Sequence, residues 1–318
     1  MTYRECLQEA EKRLRDAGIE EAASDSWLLF SWVFQMSRAS YYMDMNRACP
    51  DAQKEQLEEA VLQRCSRIPL QHITGTAPFM GFDFEVNEYV LTPRADTEVL
   101  TEKALDIMKS DLEKKKECSS SHENGAGNPA KPLYGEREYR VLDMCTGSGC
   151  IAISLYAMAR EAAENEHAVL SVTAVDISEQ ALSVAARNNE RLCAGSVHLV
   201  QSNLFEALSD TEEFDIIVSN PPYIRSREID HLMPEVKDHE PRIALDGMED
   251  GVYFYRMIVD KARSFLKHGG YLLFEIGYDQ GESVPELLKE AGYSDIEVIK
   301  DLAGLDRVVM ARYEIGRI

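Results

Sequence analysis

The sequence predicts an α/β fold, a doubly wound sheet preceded by a small helical domain and joined to it by a β-hairpin. Three observations carry that expectation. Strand-like runs begin at Val141, Val169, Val197, Phe214, Tyr271, Ile296 and Val308 and alternate with helical stretches. The first run passes into a glycine-rich turn and then into helical apolar spacing from Ile151 through Leu155 to Met158. Ahead of them, Leu7, Ala10, Leu14 and Ala17, then Ala23, Trp27, Phe30 and Phe34, repeat at helical spacing, with a third helix over Asp51–Arg64.

The expected boundaries are a helical domain over 1–75, a hairpin and linker over 76–108 with the hairpin near Phe82–Leu91, and an α/β domain over 139–318. Between them, 109–138 carries Lys114-Lys115-Lys116, Ser119-Ser120-Ser121, Gly125, Gly127, Pro129 and Pro132 with few apolar residues, so it reads as a disordered insertion. It could be a tolerated surface loop, a lid or a docking arm. Glu113 and Glu117 neutralise the lysines locally, which argues against a nucleic-acid patch. The apolar stripes of the first helices serve either a core or a groove for a protein partner.

Composition narrows the class. The chain has 318 residues, enough for two domains, and no apolar run of the ~18 residues needed to cross a bilayer. Met1-Thr2-Tyr3-Arg4-Glu5 lacks the basic-then-apolar pattern of a signal peptide, and the 7 cysteines show no paired spacing. The expectation is a soluble cytoplasmic protein with reduced thiols, no membrane contact and, since no Cys or His group has zinc spacing, no metal. Net charge is 34 − 56 = −22. Binding a duplex requires Lys and Arg to neutralise several phosphates, so direct nucleic-acid binding is not expected, although a local basic patch stays open.

The candidate chemistry sits at strand ends. Phe214–Val218 is an apolar run that leads into Ser219-Asn220-Pro221-Pro222-Tyr223. Two prolines remove two backbone donors and stiffen the turn, so Asn220 and the Pro221 carbonyl can accept two N–H bonds from one NH2 group. Pro222 shapes the turn, and the ring of Tyr223 can cover a flat amide or amino-heterocycle. The same residues also suit a plain strand-ending turn. Upstream, Cys145-Thr146-Gly147-Ser148-Gly149 joins strand to helix, where glycines admit positive φ and a helix N-terminus offers N–H groups to an anion. Asp176 ends the run Val169–Val175, where a carboxylate can accept both ribose hydroxyls, cap the next helix, or do both. Asp143, Asp176, Asn203 and Asn220 all fall at strand C-termini, so one ligand could meet all four. Glu275 follows Tyr271–Phe274 and could assist at the site's edge or be a buried structural carboxylate.

A glycine-rich turn, a strand-end acid and Asn-Pro-Pro-Tyr in this order resemble the S-adenosylmethionine-dependent amino-methyltransferases. Pro69-Leu70-Gln71-His72-Ile73-Thr74-Gly75, Phe79-Met80-Gly81, Leu91-Thr92-Pro93-Arg94-Ala95-Asp96-Thr97-Glu98, Glu240-Pro241-Arg242-Ile243-Ala244-Leu245 and Asp250-Gly251 narrow the resemblance to the HemK/PrmC family, covering nearly the whole chain from Pro69. The resemblance implies a class I, Rossmann-like methyltransferase sheet. It implies transfer of a methyl group from S-adenosylmethionine, leaving S-adenosylhomocysteine, to a glutamine amide in the Gly-Gly-Gln motif of peptide chain release factors. On this reading, Asn220, Pro221, Pro222 and Tyr223 are catalytic, and 1–75 recognises the release factor. Cys145, Thr146, Gly147, Ser148, Gly149, Asp176, Asn203, Leu204 and Asn220 hold the cofactor.

Three features depart from the family pattern, the extra length of the 109–138 insertion among them. Cys145 stands where the turn usually begins with Gly, so its backbone must tolerate a Cβ there. Asn203-Leu204-Phe205 replaces Asp and an aromatic beside the adenine. Asn203 can still bond an exocyclic amine, with Phe205 supplying the ring stack or Leu204 an apolar contact. Three alternatives remain open: a glutamine methyltransferase of a ribosomal protein, a nucleic-acid amino-methyltransferase, and a non-catalytic binding module. The Asp96-Thr97-Glu98 ending favours release factors over the first.

Overall fold

The computed structural model describes residues 1–120 and 137–314. Five helices open the chain: α1 (Tyr3–Asp16), α2 (Ala22–Phe34), α3 (Arg38–Asp44), α4 (Asp51–Cys65) and α5 (Leu70–Thr74). A capping box starts α1, with Thr2 and Glu5 each bonding the other's backbone N–H. Cys6, Ala10 and Leu14 bury one face of α1 against α2 and α4, as its spacing predicts. On α2 the buried face runs through Ala22, Ser26, Leu29, Phe30 and Val33, while Ala23 is exposed. Of the expected stripe, Phe30 and Phe34 are buried and Trp27 packs against the same core, so only Ala23 falls outside it.

The hairpin consists of β1 (Thr76–Phe79) and β2 (Phe82–Glu85), so it lies earlier than expected. Met80-Gly81 makes its turn, both residues with positive φ. Asn188 pins this hairpin to the larger domain: its Oδ1 accepts from Glu85 N at 2.7 Å and its Nδ2 donates to Glu85 O at 3.0 Å.

A second correction concerns 95–120. These residues form one helix, α6 (Ala95–Ser120), rather than a linker followed by an insertion. Leu100, Ala104, Leu105, Met108 and Leu112 recur at helical spacing and are buried in the main core. The remainder of the expected insertion, 121–136, lies outside the described residues.

The α/β domain continues with β3 (Arg137–Met144), α7 (Cys150–Asn165), β4 (Ala168–Asp176), α8 (Glu179–Cys193), β5 (His198–Gln201) and β6 (Phe214–Ser219). Then come a 3-10 turn (Ser226–His231), α9 (Pro234–Lys237), α10 (Arg242–Leu245), α11 (Tyr253–Ala262), β7 (Leu266–Glu275), α12 (Ser283–Glu290), β8 (Ser294–Lys300) and β9 (Asp306–Arg312). All seven expected strands pair in one sheet, in the order β5-β4-β3-β6-β7-β9-β8. Strands β3 to β7 run parallel, and β9 is antiparallel to both β7 and β8. This is the doubly wound sheet that the sequence predicts. The strand order reverses between β3 and β6, the place where such sheets open a crevice beyond their carboxyl ends.

Buried charge fastens the helical domain to the sheet domain. Arg64 on α4 donates to Asp25 Oδ2 at 2.7 Å and to Glu235 Oε1 at 3.0 Å, and Arg67 reaches the same Glu235 oxygen at 3.1 Å. Such a four-residue network is weak evidence for stability but fixes how two bodies meet, since removing one partner strands the others out of water.

Candidate active site

The crevice at the switch point is a cleft of about 1020 Å3, including solvent at its mouth, on the scale of sites that enclose small ligands. One wall comes from the turn after β3. Gly147 and Gly149 take φ of 55° and 82°. A Cβ on Gly149 would meet Ile153 Cδ1 at 2.7 Å and Ala185 Cβ at 3.3 Å, so close helix packing demands glycine. Cys145 also adopts a positive φ, 64°, which explains why glycine suits that position: this chain tolerates the left-handed strain with a Cβ in place. Burial, then the charge of Asp176, push the Cys145 thiol above its ordinary range, so it stays protonated.

Asp176 lines the same wall and braces it. Its Oδ2 accepts from Gly147 N and its Oδ1 from Ser178 N, both at 2.9 Å. Helix α8 is capped by Ser178, whose hydroxyl accepts from Ala181 N at 3.1 Å, so Asp176 is not the cap. Burial raises the Asp176 carboxyl, while the backbone N–H bonds from Ser178 and Gly147 oppose the rise. Ser202, Asn203 and Leu204 complete this side of the cleft. Asn203 Nδ2 donates to Glu206 Oε1 at 2.8 Å, leaving its carbonyl oxygen as acceptor. Phe205 does not face the cleft. It stacks on Phe265 in the core, with centroids 4.8 Å apart, and Leu204 lines the cleft in its place.

Asp143 is a further correction. It is fully buried beneath the turn, where its Oδ2 accepts from Thr146 Oγ1 at 2.6 Å and from Ala152 N at 3.1 Å. Asp176, Asn203 and Asn220 line the cleft, and Asp143 does not.

The opposite wall is built from side chains far apart in sequence. Asn220 and Pro222 line the cleft, whereas Pro221 and Tyr223 do not. The Tyr223 ring packs against the core, and its hydroxyl donates to Glu275 Oε1 at 3.3 Å instead of presenting an open face to the cleft. Burial, then the Glu275 charge, push the Tyr223 phenol well above its ordinary value. The Tyr223 backbone is clasped from behind. A Cβ on Gly247 would lie 2.7 Å from its carbonyl carbon, one on Gly251 would lie 2.6 Å from its oxygen, and Gln280 Nε2 donates to that oxygen at 3.2 Å. The Asp250-Gly251 signature thus permits a close backbone approach.

Sequence reasoning quoted two other motifs without assigning them chemistry. Arg94 Nη2 bonds Glu240 Oε1 at 2.7 Å and Oε2 at 2.8 Å, and Thr92 N donates to Glu240 Oε1 at 3.3 Å. The Thr92-Pro93-Arg94 and Glu240-Pro241 segments meet this way, and residues of both line the cleft. Thr97 Oγ1, from the first turn of α6, accepts from Asn220 Nδ2 at 3.3 Å. The available signal was the polar residues flanking prolines in both motifs. No group of three or more His, Cys, Asp or Glu able to hold a metal comes together among the described residues.

The arrangement agrees with the comparisons. The PrmC N-terminal domain model matches residues 5–75, and the Methyltransferase small domain model matches 130–235. The chain is 37% identical to the release factor glutamine methyltransferase of Geobacter sulfurreducens, over 98% of this chain and 96% of that protein. It is 35% identical to the protein of the same name from Fusobacterium nucleatum, over 95% of this chain and 76% of that protein. Among solved structures, the hMettl16 catalytic domain in complex with the MAT2A 3′UTR hairpin 6 shares the fold, with a TM-score of 0.51 and 12% identity over 84% of this chain and 82% of that chain. With helical domain, hairpin and cleft in place and relatives matching nearly end to end, the chain belongs to the release factor glutamine methyltransferase family.

Proposed function

We propose that this protein methylates the side-chain amide nitrogen of a glutamine in a peptide chain release factor, in the cytoplasm, using S-adenosylmethionine. The observation that carries the reading is that Asn220 lines the same cleft as the Cys145–Gly149 turn and Asp176. The residues fit the cofactor by their chemistry. A Cβ-free turn at Gly147 leaves open space for an amino-acid end beside Cys145, Thr146, Ser148 and Gly149. Asp176 offers carboxylate oxygens to ribose, and Asn203 and Leu204 offer an acceptor and an apolar surface to adenine. When bound, S-adenosylmethionine supplies a methyl carbon made electrophilic by a positively charged sulfur.

An amide nitrogen is a weak nucleophile because its lone pair is delocalised into the carbonyl. Asn220 Oδ1, on the cleft wall, accepts one of its N–H bonds, and the carbonyl of Pro221, the next residue of the turn though not itself on that wall, accepts the other as the amide enters, which pushes electron density onto nitrogen and fixes the lone-pair direction. As nitrogen becomes positive those bonds strengthen, so the stabilisation belongs to the transition state. The surplus proton then leaves to water, and no side chain has to act as a strong base. Pro222 shapes the turn, and Tyr223 holds it from the core side through Glu275. A net charge of −22 supports a protein over a nucleic acid as substrate. The helical domain, clamped through Arg64, is the proposed reader of the release factor.

The test is mass spectrometry of purified release factor after incubation with the enzyme and labelled S-adenosylmethionine. One methyl group on the side-chain nitrogen of a single glutamine is expected. Label on a ribosomal protein or on RNA, with none on release factor, would overturn the substrate assignment.

A further inference from the structure

Thr97 and Glu275 are bonded to the Asn220–Tyr223 turn, yet the mechanism above gives Thr97 no role and uses Glu275 only as an anchor. Both are buried, at 3% and 2% exposure. Hydrogen bonds have direction, and an ionised carboxylate can only accept. The Tyr223 hydroxyl donates to Glu275 Oε1 at 3.3 Å, while Glu275 Oε2 is buried with no hydrogen-bond partner. Burial raises the Glu275 carboxyl. The Thr97 hydroxyl and then the Arg307 charge oppose that rise, so the Thr97 hydroxyl lies beside a carboxylate oxygen that no hydrogen bond occupies. A Thr97 proton turned toward Glu275 leaves the Thr97 oxygen as an acceptor for Asn220, whose Nδ2 lies 3.3 Å away.

The consequence falls on Asn220. An asparagine amide presents two donors on one side and an acceptor on the other, and its surroundings decide which faces where. With Nδ2 held by Thr97, Oδ1 is left for the cleft that Asn220 lines. Reversed, Asn220 would set two N–H donors against a substrate NH2 group, which is itself a donor.

We infer that Thr97 and Glu275 are positioning residues that orient the Asn220 amide so that its oxygen meets the substrate nitrogen, an inference that rests on Asn220 accepting the glutamine N–H. Thr97 is well placed to hold that geometry. Its N–H bonds Arg94 O at 3.1 Å, and Arg94 is tied to Glu240 in the same wall.

Single-turnover methyl transfer to purified release factor, with cofactor affinity measured by calorimetry, tests this in Thr97→Val, Thr97→Ser, Asn220→Ala and the Thr97→Val/Asn220→Ala double variant. Val keeps the shape of Thr and removes the hydroxyl. Thr97→Val is expected to slow transfer about 10- to 100-fold, the scale of a misplaced reacting group, with cofactor affinity within about twofold. Thr97→Ser should stay within about threefold of wild type, and Thr97→Val should add nothing to Asn220→Ala, since the hydroxyl acts only through that amide. Glu275→Gln, whose own N–H can donate to Thr97 and reverse the chain, should show the same loss and serves if Thr97→Val does not fold. Wild-type rates in Thr97→Val beside a large loss in Asn220→Ala would overturn the positioning role and leave the amide contact standing. Additive losses, or a loss that Ser does not rescue, would overturn it as well. An Asn220→Ala rate near wild type would instead remove the reading beneath it.

Discussion

The two walls of the cleft are made differently. The wall formed by the turn after β3 and the end of β4 is backbone held by backbone, Thr146 N on Val175 O and Gly149 N on Thr146 O, or backbone held by two strand-end carboxylates, Gly147 N on Asp176 and Ala152 N on Asp143. The wall around Asn220 is held by side chains from distant parts of the chain, with Thr97 on Asn220, Tyr223 on Glu275, and Arg94 on Glu240. A backbone cradle suits a ligand that must be gripped the same way in every turnover. A side-chain network fixes hydrogen-bond direction, which matters where charge develops. On the proposed function, cofactor affinity belongs to the first wall and the chemical step to the second.

The largest effect is expected where the backbone wall is tightest. Gly149→Ala combines a left-handed φ with a Cβ 2.7 Å from Ile153 Cδ1, and it should destabilise the protein by about 3 kcal/mol in denaturant unfolding. A loss below about 0.5 kcal/mol would mean that the turn is looser than the comparison requires.

Asp143 supports that wall from below and gives it a pH signature. Burial lifts its carboxyl from 3.8 to about 7, so the folded state keeps a proton that the unfolded chain has released. The stability contributed by this group is therefore present below its unfolded value, falls as pH rises from 3.8 to about 7, and is level above. Asp143→Asn should remove that component of the slope, read as the difference between the two proteins in melting temperature across this range. Parallel curves would show that Asp143 is ionised throughout.

Cys145 provides the smallest test. Cys145→Gly relieves left-handed strain but loses the packing of the thiol, and a net gain of up to about 1 kcal/mol is expected from equilibrium unfolding. A loss of stability would show that the thiol's contacts outweigh the strain.

The same contrast explains what was legible in the sequence. All seven strands were readable because each is a short apolar run, and the glycine-rich turn because positive φ leaves a glycine signature. Asp176 was readable because a strand end determines its place. Asp143 was misread because register puts it at a strand end too, while the fold turns its side chain under the loop. The choice between Phe205 and Leu204 stayed open because nothing local distinguishes a ring stacked on Phe265 from one facing the cleft. The 95–120 helix was hidden by a lysine- and serine-rich tail that resembles an insertion, although Leu100, Ala104, Met108 and Leu112 carry the spacing. Pairs such as Arg94 with Glu240 leave no local periodicity, so only the quoted motifs hinted at them.

The central claim is that the two walls divide binding from chemistry, and Asn220→Ala measured against Asp176→Ala tests it most directly. For each variant, cofactor affinity comes from calorimetry and the chemical step from single turnover at saturating cofactor. Asn220→Ala should leave affinity within about threefold and slow transfer about 100-fold or more. Asp176→Ala should weaken the cofactor by about 1.5 to 3 kcal/mol and leave the saturated rate within about threefold. An Asn220→Ala enzyme that transfers methyl at nearly the wild-type rate, or an Asp176→Ala enzyme with unchanged affinity, would contradict the division.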